Sequence, residues 1–181
     1  MGLEVRVLLP TPETLAAVQR VAESNPDYYR AVEGDVAGPT AAVDYFDCTD
    51  LPPAAKHLTP YKLGVYEGET LVGVADVLRG YRTPDCAWLG WWIVDAARHG
   101  QGLGRRGYAA VEKYIRTWPE ITHIMLSVVE PNAPALTFWP HMGFRDTGER
   151  RPYREKRGEV TLWVFNKNLL NLELCPGKSH S

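Results

Sequence analysis

The chain has 181 residues, enough to build its own core, with 45% hydrophobic and 23% charged residues and a formal net charge of −2. With 20 Lys and Arg against 22 Asp and Glu, no basic excess argues for nucleic acid, and neither a basic amphipathic helix nor a bilayer-length apolar run argues for a membrane. Cys48, Cys86 and Cys175 are odd in number and lack metal-ligand spacing, and no charged-then-apolar leader opens the chain, so the reading is a cytoplasmic protein with reduced thiols and no metal.

Leu3 to Leu9 alternates as a first strand. Thr11 then caps a helix with Pro12 at its first position, and Leu15, Val18 and Ala22 recur at helical spacing. Residues 23 to 60 read as irregular, rich in Pro and Gly, and acidic through Glu23, Asp27, Glu33, Asp35, Asp44, Asp47 and Asp50. From Tyr61 the texture is β: "YKLGVY", the turn "EGET" with Gly68, and "LVGVADVL" make a hairpin, and "AWLGWWIV" adds a third strand. Alternation puts Trp88, Gly90, Trp92 and Val94 on one face of that strand, with Leu89, Trp91 and Ile93 on the other.

A glycine loop follows, then a helix over 104–117 whose Leu103, Val111, Tyr114, Ile115 and Trp118 share a face. "HIMLSVV" is an apolar strand, "NAPALTFW" a short helix ending near Pro140, and "EVTLWVF" a late strand. Strand 87–94, helix 104–117 and strand 122–129 form a β-α-β crossover, which predicts a right-handed connection and a parallel pair within an otherwise antiparallel sheet. The fold class is α+β, a mixed central sheet flanked by helices, in a single domain over 1–181 with a frayed tail at 171–181.

The loop "VDAARHGQGLGRR" carries Gly100, Gly102 and Gly104 ahead of a helix. Backbone N–H groups at a helix N-terminus, backed by the helix dipole, bind phosphate without a charged side chain. Each glycine removes a Cβ that would hold an anion off, and Arg105 and Arg106 add mobile positive charge. A mononucleotide P-loop would need Lys and then Ser or Thr after its last glycine, and a dinucleotide fold would need a run of parallel strands. The chain has neither.

"VDAARHGQGLG" resembles the acetyl-CoA signature of the GNAT N-acetyltransferases, and "NAPALTFWPHMGF" resembles that family's second signature, Asn-x-x-Ala-x-x-Phe-Tyr-x-x-x-Gly-Phe. The two blocks stand in the family's order and spacing. The resemblance covers residues 61 to 165, while the first 60 match only as strand, helix and variable region. It implies the GNAT fold and an acetyl-CoA cosubstrate whose pyrophosphate lies on the loop His99, Gly100, Gln101, Gly102, Leu103, Gly104 and Arg105. It further implies a pantetheine arm against Ile93, Val94 and Asn132, with Phe138 and Trp139 along the thioester.

Two departures from the family pattern matter. His99 stands where Gln or Arg is usual, and Trp139 stands where a tyrosine usually protonates the thiolate. An indole N–H donates a hydrogen bond but is no acid, so Trp139 either donates to the sulfur or packs on the pantetheine. A thiolate with a pKa of about 8.5 is a tolerable leaving group at neutral pH. For the base, the strand "AWLGWWIV" has no carboxylate; Glu130 at the end of the following strand is the first candidate, with Asp76 and His57 behind it.

The run "RRPYREKR" is read as a hairpin loop that is solvated or meets either an acidic acceptor or the 3′-phosphate of CoA. Residues 1–60 are read as the acceptor side, where acidic residues would suit a cationic amine and Tyr28, Tyr29, Tyr45 and Phe46 could supply pocket walls. One of the strand tryptophans could wall that pocket too. The expected function is direct acetyl transfer to a primary amine, with no covalent enzyme intermediate. The alternatives are a GNAT-fold acyl-CoA-binding sensor or partner-binding protein, and a transferase for a bulkier acyl group. A polyamine, an amino acid, an antibiotic amine and a protein N-terminus all remain open as acceptors, and similar proteins are often homodimers.

Overall fold

The computed structural model describes residues 2–47, 51, 53–55, 57–155 and 158–170. Seven strands form one sheet: β1 (Leu3–Val7), β2 (Pro60–Glu67), β3 (Thr70–Arg79), β4 (Cys86–Val94), β5 (His123–Val129), β6 (Arg145–Glu155) and β7 (Gly158–Asn168). Their order is β1-β2-β3-β4-β5-β7-β6, and only the β4–β5 pair is parallel. The expected mixed sheet is therefore present. The expected frayed tail lies outside the described residues.

Among the described residues five α-helices flank it: α1 (Pro12–Glu23), α2 (Pro26–Val32), α3 (Ala41–Asp47), α4 (Leu103–Ile115) and α5 (Ala133–His141). In α1 the Thr11 hydroxyl accepts from the Thr14 N–H at 3.2 Å, and Pro12 fills a position where no N–H is needed. The stretch read as irregular from 23 to 60 holds α2, α3 and a one-turn 3-10 helix at Pro53–Ala55. The two α-helices are seven residues each, too short for their periodicity to stand out, and they are held by burial of Tyr29, Ala42 and Tyr45.

Two apolar layers sandwich the sheet. One joins Leu63, Val65, Val77 and Leu89 to Leu103, Tyr108, Val111 and Ile115 of α4 and to Trp139 of α5. The other joins Val74 and Ile93 to Val18, Val21, Tyr29 and Tyr45 of α1, α2 and α3. Helix α4 comes close enough to the sheet that a Cβ on Gly107 would lie 2.9 Å from Cη2 of Trp92. Only a glycine lets that ring lie under the helix.

Strand β4 departs from simple alternation. Leu89 pairs with Val77 and Trp91 with Asp76, so Gly90 is an extra residue, a β-bulge. The bulge resets the pattern, because one inserted residue flips every later side chain. Trp88 packs with Leu78 and Tyr81, and Trp91 and Ile93 join the layer of α1, α2 and α3. Leu89, Trp92 and Val94 face α4.

The basic run expected in a hairpin loop is largely strand: residues 150 to 155 belong to β6, at the edge of the sheet. Arg150 pairs with Asp146 at 2.6 Å and lies 3.9 Å from the Trp163 ring centroid, so its charge is already engaged.

Candidate active site

Pairing between β4 and β5 covers Cys86–Leu89 against His123–Leu126 and then stops, although the strands continue to Val94 and Val129. Beyond Gly90 the strands part, and a cavity of about 1190 Å³ opens between them. The gap passes from one face of the sheet to the other. On one side it is lined by Gly100, Gly102, Gly104 and Arg105 of the loop and by Phe138 and Trp139 of α5; on the other, by Tyr28 of α2, Trp91, Tyr153 and Leu162.

The glycine loop has the conformation that an anion cradle needs. Gly100 and Gly102 take φ of +74° and +69°, in the left-handed region, and the space where a Cβ would project is open at both. The bond from Arg106 N–H to Gly102 C=O, 3.1 Å, closes the first turn of α4. The N–H groups of Leu103, Gly104 and Arg105 thus precede the helical ladder and point out of its N-terminus. Phe138 lies 3.6 Å from the Cβ position of Gly104, which places α5 beside the cradle. Leu103 is buried and anchors the turn, whereas His99 and Gln101 are exposed; His99 lines the cavity and Gln101 does not. These residues fit a pyrophosphate through backbone donors.

The loop is held by a joint that the sequence did not announce. Asp95 caps the one-turn 3-10 helix Ala96–Arg98 by accepting from the Ala97 N–H at 3.0 Å, and it is ion-paired to Arg20 of α1. Ser24 Oγ accepts from the Ala96 N–H at 3.1 Å, and Asn25 Nδ2 donates to the Val94 carbonyl at 2.9 Å. The Val94 carbonyl is therefore already engaged. A polar residue at the end of a predicted helix was the only available hint for Ser24 and Asn25.

Asn132 is buried at the start of α5, where its Oδ1 accepts from the Ala135 N–H at 3.3 Å. Among the described residues its Nδ2 has no acceptor, and the residue lines the cleft beside Pro131 and Pro134. Trp139 is 6% exposed and sits edge-on to Phe138, Tyr108 and Phe144 at centroid distances of 4.9, 5.2 and 5.2 Å. That aromatic cluster fixes its ring at the cleft wall. Tyr108 offers no replacement acid: burial, with the Glu112 carboxylate beside it, pushes its phenol far above the ordinary value.

The three base candidates are not brought together. Glu130 is exposed, its N–H donates to the Thr161 carbonyl at 2.8 Å, and it does not line the cleft. His57 is an exposed turn residue. Asp76 stands behind the bulge: a Cβ at Gly90 would lie 4.0 Å from its Oδ2, which accepts from Lys62 Nζ at 2.9 Å, while its Oδ1 is buried without a hydrogen bond. Burial raises the Asp76 carboxyl above its ordinary value, and Lys62 works against that rise.

A shallower pocket of about 300 Å³ lies on the outer side of α4, lined by Arg105, Lys113, Arg116, His141 and Lys167 around Tyr108 and Glu112. Glu112 pairs with both Lys167 and Arg116. Burial would raise its carboxyl, but these two cations outweigh burial and hold it below its usual value. Arg105 and Lys113 have no acidic partner among the described residues.

The fold and the cleft define a two-substrate transferase scaffold, with one end suited to a phosphate-bearing carrier. The chain belongs to the GNAT family of acetyltransferases, whose family model matches residues 19–144. The family's cosubstrate is acetyl-CoA. No curated protein sequence matches the chain. Among solved structures, an acetyltransferase from Thermus thermophilus is similar, with a TM-score of 0.68 at 20% identity over 93% of this chain and 98% of that one. The ribosomal-protein-S18-alanine N-acetyltransferase of Escherichia coli matches with a TM-score of 0.62 at 16% identity over 95% and 98%. The PaiA N-acetyltransferase of Thermoplasma acidophilum, solved in complex with coenzyme A, matches at 0.61 and 18% over 93% and 99%. At these identities the likeness is one of fold.

Proposed function

We propose that the protein transfers the acetyl group of acetyl-CoA directly to a primary amine bound on the opposite face of the sheet. The observation that carries this reading is the gap between β4 and β5, which joins the glycine cradle to an aromatic chamber. When bound, the cosubstrate supplies an acyl thioester, which a neutral amine can attack.

The chain's own residues would then act as follows. The amides at Leu103, Gly104 and Arg105 hold the pyrophosphate, and Arg105 and Lys113 offer charge to a further phosphate. The backbone edge of β4 from Gly90 to Ile93, beyond its pairing with β5, would line the arm together with Asn132. Trp139 packs on that arm, held edge-on by its aromatic neighbours. Glu130, facing solvent, could take up a proton only through water.

One observation favours a second reading, an acyl-CoA-binding sensor. Trp139 puts an indole, which cannot protonate a thiolate, at a buried point of the cleft wall. Calorimetric titration with acetyl-CoA, beside a Gly102→Glu control, tests binding, and CoA release with added amines separates the two readings. Binding by the native chain, lost in the control, together with amine-dependent CoA release supports the transferase. Binding without release supports the sensor, and absence of binding refutes both.

A further inference from the structure

The two ends of the cleft differ in chemistry. The basic residues that line it, Arg98, His99 and Arg105, all stand at the glycine loop. The far end is walled by Tyr28, Trp91 and Tyr153, with Ala31, Val32 and Leu162 between them. These rings come from α2, β4 and β6, three elements far apart in sequence, and converge on one chamber.

Acidic residues are nearly missing from that chamber. Of the seven acids that made residues 23 to 50 read as an acidic acceptor wall, Asp27 alone lines the cleft among the described residues. Its side chain is 97% exposed and is tied to Arg30 at 2.9 Å. Asp76 is closed off behind Gly90 with Lys62 as its counter-charge. A polycation entering here would bury several ammonium groups with only the exposed Asp27 in the lining and Glu33 near Tyr28 to meet them, too few to offset the loss of hydration.

An apolar chamber also favours the neutral form of an amine, the form that attacks a thioester. Tyr28 fits this setting. Burial raises its phenol, with Tyr29 and Glu33 adding to the rise and the Trp91 indole opposing it, so its hydroxyl stays a donor. Tyr28 is half-buried, and it and Tyr153 both line the cleft.

We propose that the acceptor is a monoamine on an aromatic or apolar body, held against the wall formed by Tyr28, Trp91 and Tyr153, and not a polycationic amine. This rests on the acetyltransferase reading and names its substrate class. An aromatic ring in the chamber gains both buried area and edge or offset contacts with the three rings.

The test measures CoA release with 2-phenylethylamine, tyramine and phenylalanine amide against spermidine and kanamycin, with acetyl-CoA binding measured separately by calorimetry. The expected result is a kcat/KM higher by at least roughly tenfold for the aryl monoamines, and a KM for them raised roughly tenfold in Tyr28→Ala. Tyr153→Ala, on an exposed edge strand, gives a second variant should Tyr28→Ala not fold. It is expected to raise the same KM with acetyl-CoA affinity unchanged. Preference for the polycations, or no turnover of any aryl amine by a protein that binds acetyl-CoA, overturns the substrate class alone. Failure to bind acetyl-CoA overturns the transferase reading and the substrate class with it.

Discussion

Lys62 Nζ lies 2.9 Å from Asp76 Oδ2 on the neighbouring strand, with the Tyr45 ring centroid 4.3 Å from the same nitrogen. The pair is mostly buried, at 8% and 19% side-chain exposure, so neither charge has water to fall back on. Replacing Lys62 by Met leaves a buried carboxylate alone, which costs on the order of 3 kcal/mol near neutral pH. The pH dependence follows from the raised carboxyl of Asp76. A raised folded-state value means stability that is present at low pH and is lost as pH rises through that value. Removing Lys62 raises it further, so the deficit of Lys62→Met should be larger at pH 7.5 than at pH 4. Equal deficits in urea titrations at the two pH values would refute this.

Gly107→Ala should lower stability although alanine favours helix by about 1 kcal/mol. The new methyl would sit 2.9 and 3.2 Å from two ring carbons of Trp92, and that half-buried indole, packed under α4, must shift toward the cleft to admit it. Overpacking of this kind costs about 1–3 kcal/mol, or several degrees of melting temperature. A melting temperature equal to or above that of the native protein would show that the ring moves without cost.

Cys86 should be inert in the native protein. It is buried, and burial, with Asp85 adding to the effect, pushes its thiol up to about 12. In a chain carrying Cys48→Ser and Cys175→Ser, a thiol reagent at pH 8 should label Cys86 only after denaturation. Stoichiometric labelling in native buffer would contradict its placement. The result has practical weight, because CoA release is read with the same reagents.

Glu130→Gln should leave the pH–rate profile of amine acetylation in place, with the rate within about twofold, because an exposed side chain outside the cleft lining has little hold on a buried proton transfer. A shifted basic limb would restore Glu130 as the base acting through water.

What the sequence could reveal was what local pattern encodes. The glycine loop, α4 and the β4–α4–β5 crossover follow from spacing within some forty consecutive residues. The faces of β4 did not, because the bulge at Gly90 exists only in relation to β3. Strand β6 was hidden by its arginines, which an edge strand can carry where an inner strand cannot. The aromatic chamber was hardest, since Tyr28, Trp91 and Tyr153 are brought together only by the fold. Tyr45, which shared a segment with Tyr28, went instead to Lys62 and Trp91.

The joint at the end of α1 has a meaning beyond anchorage. Arg20, Ser24 and Asn25 grip Asp95, Ala96 and Val94, and helix α2 begins at the very next residue, Pro26. Helix α2, which carries Tyr28, and the start of the glycine loop are therefore mounted on a common bracket, and two of its three side chains, Ser24 and Asn25, themselves line the cleft. On the proposed reading, a change in the shape of Tyr28 would alter the amine end of the cleft while this joint keeps the glycine loop in place.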